Sequence, residues 1–185
     1  MQVLLTGASG LIGRHLLPEL EEQGHSVVKV SRSDRPGYRQ WDPAAGHVPD
    51  GLLEGIDAVI HLAGENIAQR WTSEARKSIR DSRVQSTRLL SEAAGRAERP
   101  PGIFLSGSAT GIYGVRREDW VDEQSEPGDG FLAGVAREWE AATAPLQSTA
   151  TRVVHLRTGV VLSPEGGALG EMLPIFKKGA GGPIG

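Results

Sequence analysis

The residues best placed to do chemistry in this 185-residue sequence begin at Thr6-Gly7-Ala8-Ser9-Gly10-Leu11-Ile12-Gly13, a G-x-x-G-x-x-G loop directly after the apolar run Val3-Leu4-Leu5. Glycines at this spacing permit a tight turn, a close backbone approach to a pyrophosphate and close helix-to-strand packing, while the free N–H groups and dipole of a following helix favour negative charge. Gly7, Ser9, Gly10, Leu11, Ile12 and Gly13 are therefore candidate dinucleotide contacts. In a chain with 25 glycines the pattern alone would mean little; a strand before it, a helix after it and a second strand beyond give it weight.

That second strand ends Val30-Ser31-Arg32-Ser33, where an acid would bind the ribose hydroxyls of NAD and a cation would accept the 2′-phosphate of NADP. A guanidinium grips phosphate through parallel charge-assisted hydrogen bonds and Ser31 adds a hydroxyl, so Arg32 points to NADP(H). Asp34, two positions on, keeps NAD(H) as the alternative. A third strand leads into His61-Leu62-Ala63-Gly64-Glu65-Asn66, whose small residues would let an adenosine or ribose reach the backbone. His61 reads as a packed, hydrogen-bonded side chain. Asp119, Asp122, Glu123 and Glu126 read as a solvated acidic surface before the Trp139 helix, and Trp41, Trp71 and Trp120 as packing residues.

These residues need a scaffold. Short β-branched runs recur at Val3-Leu4-Leu5, Val27-Val28-Lys29-Val30, Ala58-Val59-Ile60, Ile103-Phe104-Leu105 and Val153-Val154-His155-Leu156. Helix-period stretches fill the gaps over residues 11–23 (with Gly24 as the stop), 73–97 and 133–146. Alternating strands and helices imply a parallel sheet covered on both faces, with the ligand along the rim of the strands' carboxyl ends. The expected fold is α/β, a Rossmann-type doubly wound parallel sheet, over residues 1–163; residues 164–185, with a glycine-rich tail, read as the start of an incomplete substrate lobe.

Composition narrows the class further. A net charge of -3 gives no hint of nucleic acid or an anionic membrane, and no stretch approaches the roughly 18 apolar residues of a membrane span. There is no cysteine, and the five histidines show no metal-ligand spacing, so no metal site is expected. The reading is a cytoplasmic globular protein.

The T-G-x-x-G-x-x-G loop and the His61-Leu62-Ala63-Gly64 strand end resemble the extended short-chain dehydrogenase/reductase superfamily. Trp41-Asp42-Pro43, Ala63-Gly64-Glu65-Asn66-Ile67, Arg70-Trp71, Ser82-Arg83, Trp139-Glu140 and residues 156–163 (LRTGVVLS) narrow the resemblance to its atypical epimerase-like branch within the NAD-dependent epimerase/dehydratase family, often catalogued as sugar nucleotide epimerases or cell-division-inhibitor-like proteins. The resemblance implies cofactor contacts at Gly7, Gly10, Gly13, Ser31, Arg32, Leu62, Ala63, Arg83 and Val161, with Gly64 beside them. It also implies relatives that continue for roughly another hundred residues, building most of the substrate lobe. A chain without that lobe should bind nucleotide, and an uncovered apolar face would promote association, as in a homodimer.

The same resemblance exposes a gap. Members of this superfamily use a Tyr-x-x-x-Lys helix in which the lysine lowers the tyrosine pKa for proton transfer, and residues 130–140 (GFLAGVAREWE) place Phe131 or Leu132 where the phenol belongs. The hydroxyl-rich turn Ser106-Gly107-Ser108-Ala109-Thr110-Gly111-Ile112-Tyr113 remains. Counting four back from Tyr113 lands on Ala109, so Ser108 or Thr110 must polarise a substrate hydroxyl or carbonyl; Ser108 is the catalytic candidate, with Tyr113 as a stand-in acid. Two functions follow: an NADP(H)-dependent epimerase or oxidoreductase acting on a sugar nucleotide or carbonyl substrate, or a non-catalytic NADP(H)-binding sensor or regulatory protein.

Overall fold

The computed structural model of the chain describes residues 1–116 and 119–182. Six strands, β1 (Gln2–Thr6), β2 (Ser26–Ser31), β3 (Tyr38–Gln40), β4 (Ala58–His61), β5 (Ile103–Ala109) and β6 (Arg152–Thr158), form one sheet in the order β3-β2-β1-β4-β5-β6. Every pairing is parallel. Four helices connect or follow them: α1 (Leu11–Glu22), α2 (Ser73–Arg96), α3 (Phe131–Ala141) and α4 (Gly167–Lys177).

Side chains of a strand alternate between faces, and the core divides accordingly. Val3, Leu5, Ala58 and Ile60 pack with Leu16, Leu17 and Leu20 of α1 on one face. Leu4, Val59 and Phe104 pack with Leu90 and Ala94 of α2, and with Trp41 and Leu146, on the other. Both faces are covered, as a parallel sheet requires.

The boundaries have local causes. The 24 residues of α2 follow the N-cap Thr72, whose hydroxyl accepts from the N–H of Ala75 at 3.2 Å, and carry Glu74 in the first turn and Arg96 in the last, both favourable to the helix dipole. α1 stops before Gly24, which adopts φ 79°. The third helix is shorter than the 133–146 period suggests: it ends at Ala141 and gives way to a 3₁₀ turn at Ala144–Ser148, because Pro145 lacks an N–H and its ring would collide with the carbonyl four residues back.

Two elements escape the sequence pattern. β3 is a three-residue edge strand, Tyr-Arg-Gln, with no alternation to read. α4 has Pro174 inside it and buries no residue, leaving Ile175 and Phe176 half exposed. Among the described residues no helix is long and apolar enough to cross a membrane.

Candidate functional site

The sheet order reverses between β1 and β4, and a crevice opens there beyond the strands' carboxyl ends. Register aligns those ends, since Thr6 faces Val30 on one side and His61 on the other. The crevice is a cleft of about 670 Å³, floored by Gly7, Ser9, Gly10, Leu62, Ala63 and Gly64. Ser31, Arg32, Ser33 and Arg35 close one end, with Trp41, Pro43 and Ala44 beside them, and the α2 residues Lys77, Ser78, Asp81, Ser82 and Gln85 form a wall.

The glycine loop is dictated by contact. Gly7 has φ 71°, and a Cβ there would stand 2.7 Å from the carbonyl carbon of Leu62. A Cβ on Gly13 would stand 2.2 Å from the Gly7 carbonyl oxygen. The loop therefore lies against the β4 exit and α1 against the loop, with the Gly10 N–H donating to the Gly7 carbonyl at 2.9 Å. The N-cap of α1 is Gly10, so no side chain caps the helix and its first amides stay available to an anion.

Beneath the floor, His61 ties three elements together. Ser86 donates its hydroxyl to the Ser82 carbonyl at 2.6 Å and is left to accept from Nε2–H of His61 at 3.1 Å. Nδ1 then accepts from the Thr6 hydroxyl at 2.6 Å, and the Ala63 N–H donates to that same hydroxyl oxygen at 3.3 Å. Full burial pushes the His61 pKa down to about 4, so the ring is neutral and structural. The indole of Trp41 meets it edge-on at 6.0 Å.

The remaining cofactor candidates lie around the cleft rather than on its surface. Gly13 is buried under the loop. Leu11 packs towards Gly166 and Gly167, while Ile12 is exposed. Arg83 donates to the Ile79 carbonyl at 3.0 Å and lies 5.3 Å over the Trp139 ring. It fills the space at Gly64, where a Cβ would be 3.1 Å from its guanidinium carbon; burial, countered in part by the charge of Glu65, pushes its pKa down. Val161 is partly exposed beyond β6, its carbonyl facing Gly167.

The catalytic candidates occupy a separate shoulder formed by β5, β6 and α3. Ser108 is buried and donates its hydroxyl to Oε1 of Glu140 at 2.6 Å. Arg157 holds the same carboxylate with both arms, Nε to Oε1 at 2.8 Å and Nη2 to Oε2 at 2.9 Å. Its Nη1 donates to the Tyr113 hydroxyl at 2.7 Å and its charge lies 5.3 Å from that ring's centroid. Burial opposes the charge on Glu140, but the bonds from Arg157 and Ser108 and the nearby charges outweigh it, and its pKa falls. His155 approaches the carboxylate at 3.9 Å and shares a 3.0 Å hydrogen bond with Thr143; burial pushes its pKa down. Thr110 is exposed at the top of β5. Phe131, at the start of α3, meets Trp71 at 5.5 Å and Arg76 at 5.1 Å.

Sequence reasoning found the glycine loop, Ser31 and Arg32 but missed Arg35, Glu140 and Arg157. Glu140 and Arg157 entered only inside resembling segments, because residues 17 apart on different elements carry no spacing signal. Asp122 closes a local turn with Ser125; among the described residues no group of three or more His, Cys, Asp or Glu could hold an ion.

A parallel six-stranded sheet in this order, with a glycine loop at its reversal point, is a Rossmann-type α/β fold. The chain belongs to the NAD dependent epimerase/dehydratase family, whose model matches residues 3–176. It is 41% identical over 186 residues to an epimerase family protein of Mycobacterium tuberculosis, covering 99% of this chain and 61% of that protein. Among solved structures, human epimerase family protein SDR39U1 (isoform 2) with NADPH matches with a TM-score of 0.88 and 39% identity, over 100% of this chain and 62% of that one. The nucleoside-diphosphate sugar epimerase of Corynebacterium glutamicum matches with a TM-score of 0.87 and 40% identity, over 100% and 39% of the two chains. The chain thus spans about three fifths of the length of the curated relatives it matches.

Proposed function

We propose that this chain is the NADP(H)-binding part of an oxidoreductase or epimerase-like enzyme whose substrate is a sugar nucleotide or another carbonyl compound. Arg32 carries the cofactor reading: it is exposed at the end of β2, lines the cleft, and has no ion-pair partner among the described residues. Asp34, the residue an NAD reading would use, is not among the cleft-lining residues. The Cβ-free loop and uncapped α1 fit a pyrophosphate, and the human relative was solved with NADPH.

The nicotinamide, when bound, supplies hydride exchange. The chain's own contribution is position and polarity. Ser108 gives its proton to an ionised carboxylate, so towards a substrate it offers lone pairs and accepts from a hydroxyl. Tyr113, its oxygen already receiving Arg157, keeps its own proton to give. Ser108→Ala should therefore abolish turnover while cofactor affinity is retained.

A second reading, a non-catalytic NADP(H) sensor, is favoured by Phe131 at the head of α3, where a phenol would be needed for proton transfer. Turnover of any sugar nucleotide, aldehyde or ketone in a broad screen would remove it.

The deciding experiment is a binding titration with NADPH and NADH, repeated with Arg32→Ala. The expected result is NADPH binding that weakens selectively, by about tenfold or more, in the variant. Equal affinity for the two cofactors, or binding of neither, overturns the reading.

A further inference from the structure

One guanidinium does not balance a phosphomonoester, which carries about -1.5 to -2 charges at neutral pH. A second guanidinium, that of Arg35, also lines the cleft. Residues 35–38 form a turn closed by the Tyr38 N–H donating to the Arg35 carbonyl at 3.0 Å, with Gly37 at φ 78°. The turn brings the chain from the end of β2 into β3, and Arg35 within it lines the cleft, as Arg32 does. Like Arg32, Arg35 has no ion-pair partner among the described residues.

Arg35 lies near an aromatic ring. Its guanidinium carbon lies 6.0 Å from the centroid of Tyr38, at the outer reach of a cation–π contact. Tyr38 is half-buried and pairs in register with Lys29, whose Nζ lies 5.2 Å from the same ring. The ring is thus held on the β2–β3 pair and lies within reach of Arg35. A neutral ribose diol offers two unpaired guanidiniums lining one cleft no counter-charge; a phosphate dianion does.

We propose that Arg35 is the second guanidinium of the 2′-phosphate subsite and that Tyr38 is its positioning residue, an inference that rests on the NADP(H) reading. Together they make preference for NADP(H) over NAD(H) a property of the β2–β3 turn as well as of Arg32.

The test is calorimetric titration of the protein with NADPH, NADH, 2′,5′-ADP and 5′-AMP, the last two differing only by the 2′-phosphate. Arg35→Ala should weaken NADPH and 2′,5′-ADP about tenfold and change NADH and 5′-AMP less than twofold. Tyr38→Leu should shift affinities in the same selective direction, whereas Tyr38→Phe, which keeps the ring, should bind as the parent does. Full retention of the 2′,5′-ADP preference in Arg35→Ala overturns the second guanidinium alone, and equal losses for all four ligands make Arg35 merely structural, also against the proposal. An unsubstituted protein that binds 2′,5′-ADP no better than 5′-AMP overturns the NADP(H) reading and this subsite with it.

Discussion

The β1–β2–β4 rim and the β5–β6–α3 shoulder are both polar, yet they handle their polar groups in opposite ways. On the rim, Arg32 and Arg35 have no ion-pair partner among the described residues and the first amides of α1 have no side-chain cap. On the shoulder, Ser108, Glu140, Arg157, Tyr113, His155 and Thr143 are all joined to one another. Unmet donors gathered in a cleft are what a ligand site looks like before its anion arrives. A closed network is what rigid positioning looks like, and a reacting group held this way needs little rearrangement when substrate comes. Removing a group from the shoulder should therefore cost stability, and removing one from the rim should cost only binding.

The largest effect belongs to Glu140→Ala. It strands the Arg157 charge and leaves Ser108 without an acceptor, and breaking a buried pair in this way costs about 3 kcal/mol, the lower end of the usual range because Arg157 is partly exposed. Urea unfolding measures it, and NADPH affinity of the folded variant should stay within twofold. The double variant Glu140→Leu with Arg157→Leu should recover part of the loss. A variant as stable as the parent would show that the network is not a unit, and the contrast between the two regions would dissolve.

Next comes His61, which lies under the rim but behaves like the shoulder. Its folded pKa of about 4 lies below the ordinary 6.5, so between these values the unfolded chain binds a proton that the folded chain does not. Stability from this group is complete above pH 6.5 and declines as pH falls towards 4, by about 3 kcal/mol in total. His61→Asn should flatten that part of the profile, read from unfolding midpoints at pH 7.5, 5.5 and 4.5. Parallel profiles for parent and variant would assign the acid sensitivity elsewhere.

The same division explains what could be read from the chain. The rim is encoded locally: Gly7, Gly10 and Gly13 lie within seven residues at the entry to α1, and Arg32 directly follows the next strand, so spacing alone points to them. The five longer strands and the first three helices were legible because their apolar residues recur with the period of the element, although the end of α3 was placed too far along and α4 was not foreseen. The shoulder is encoded by distance. Ser108 meets Glu140 across 32 residues and Arg157 meets Tyr113 across 44, and no local pattern predicts such pairs. Arg35 was lost for another reason: β3 is three residues long and polar, so the turn that returns Arg35 to the cleft looked like loop. Even Ser108, identified correctly as a polar strand-end residue, was read without the carboxylate that fixes the direction of its proton.

The smallest expected effect is the sharpest test of the contrast. Arg32→Ala removes an exposed charge whose only side-chain-mediated tie among the described residues is to its backbone, where the carbonyl accepts from Nε2 of Gln40 at 3.2 Å. No buried partner is left behind, so stability should change by less than about 0.5 kcal/mol. NADPH affinity should fall in the same variant. Thermal melting with and without NADPH reads both at once: the ligand-free midpoint holds, while the upward shift produced by NADPH shrinks. A large drop in the ligand-free midpoint would mean that Arg32 supports the fold after all, and the rim would then be another closed network like the shoulder.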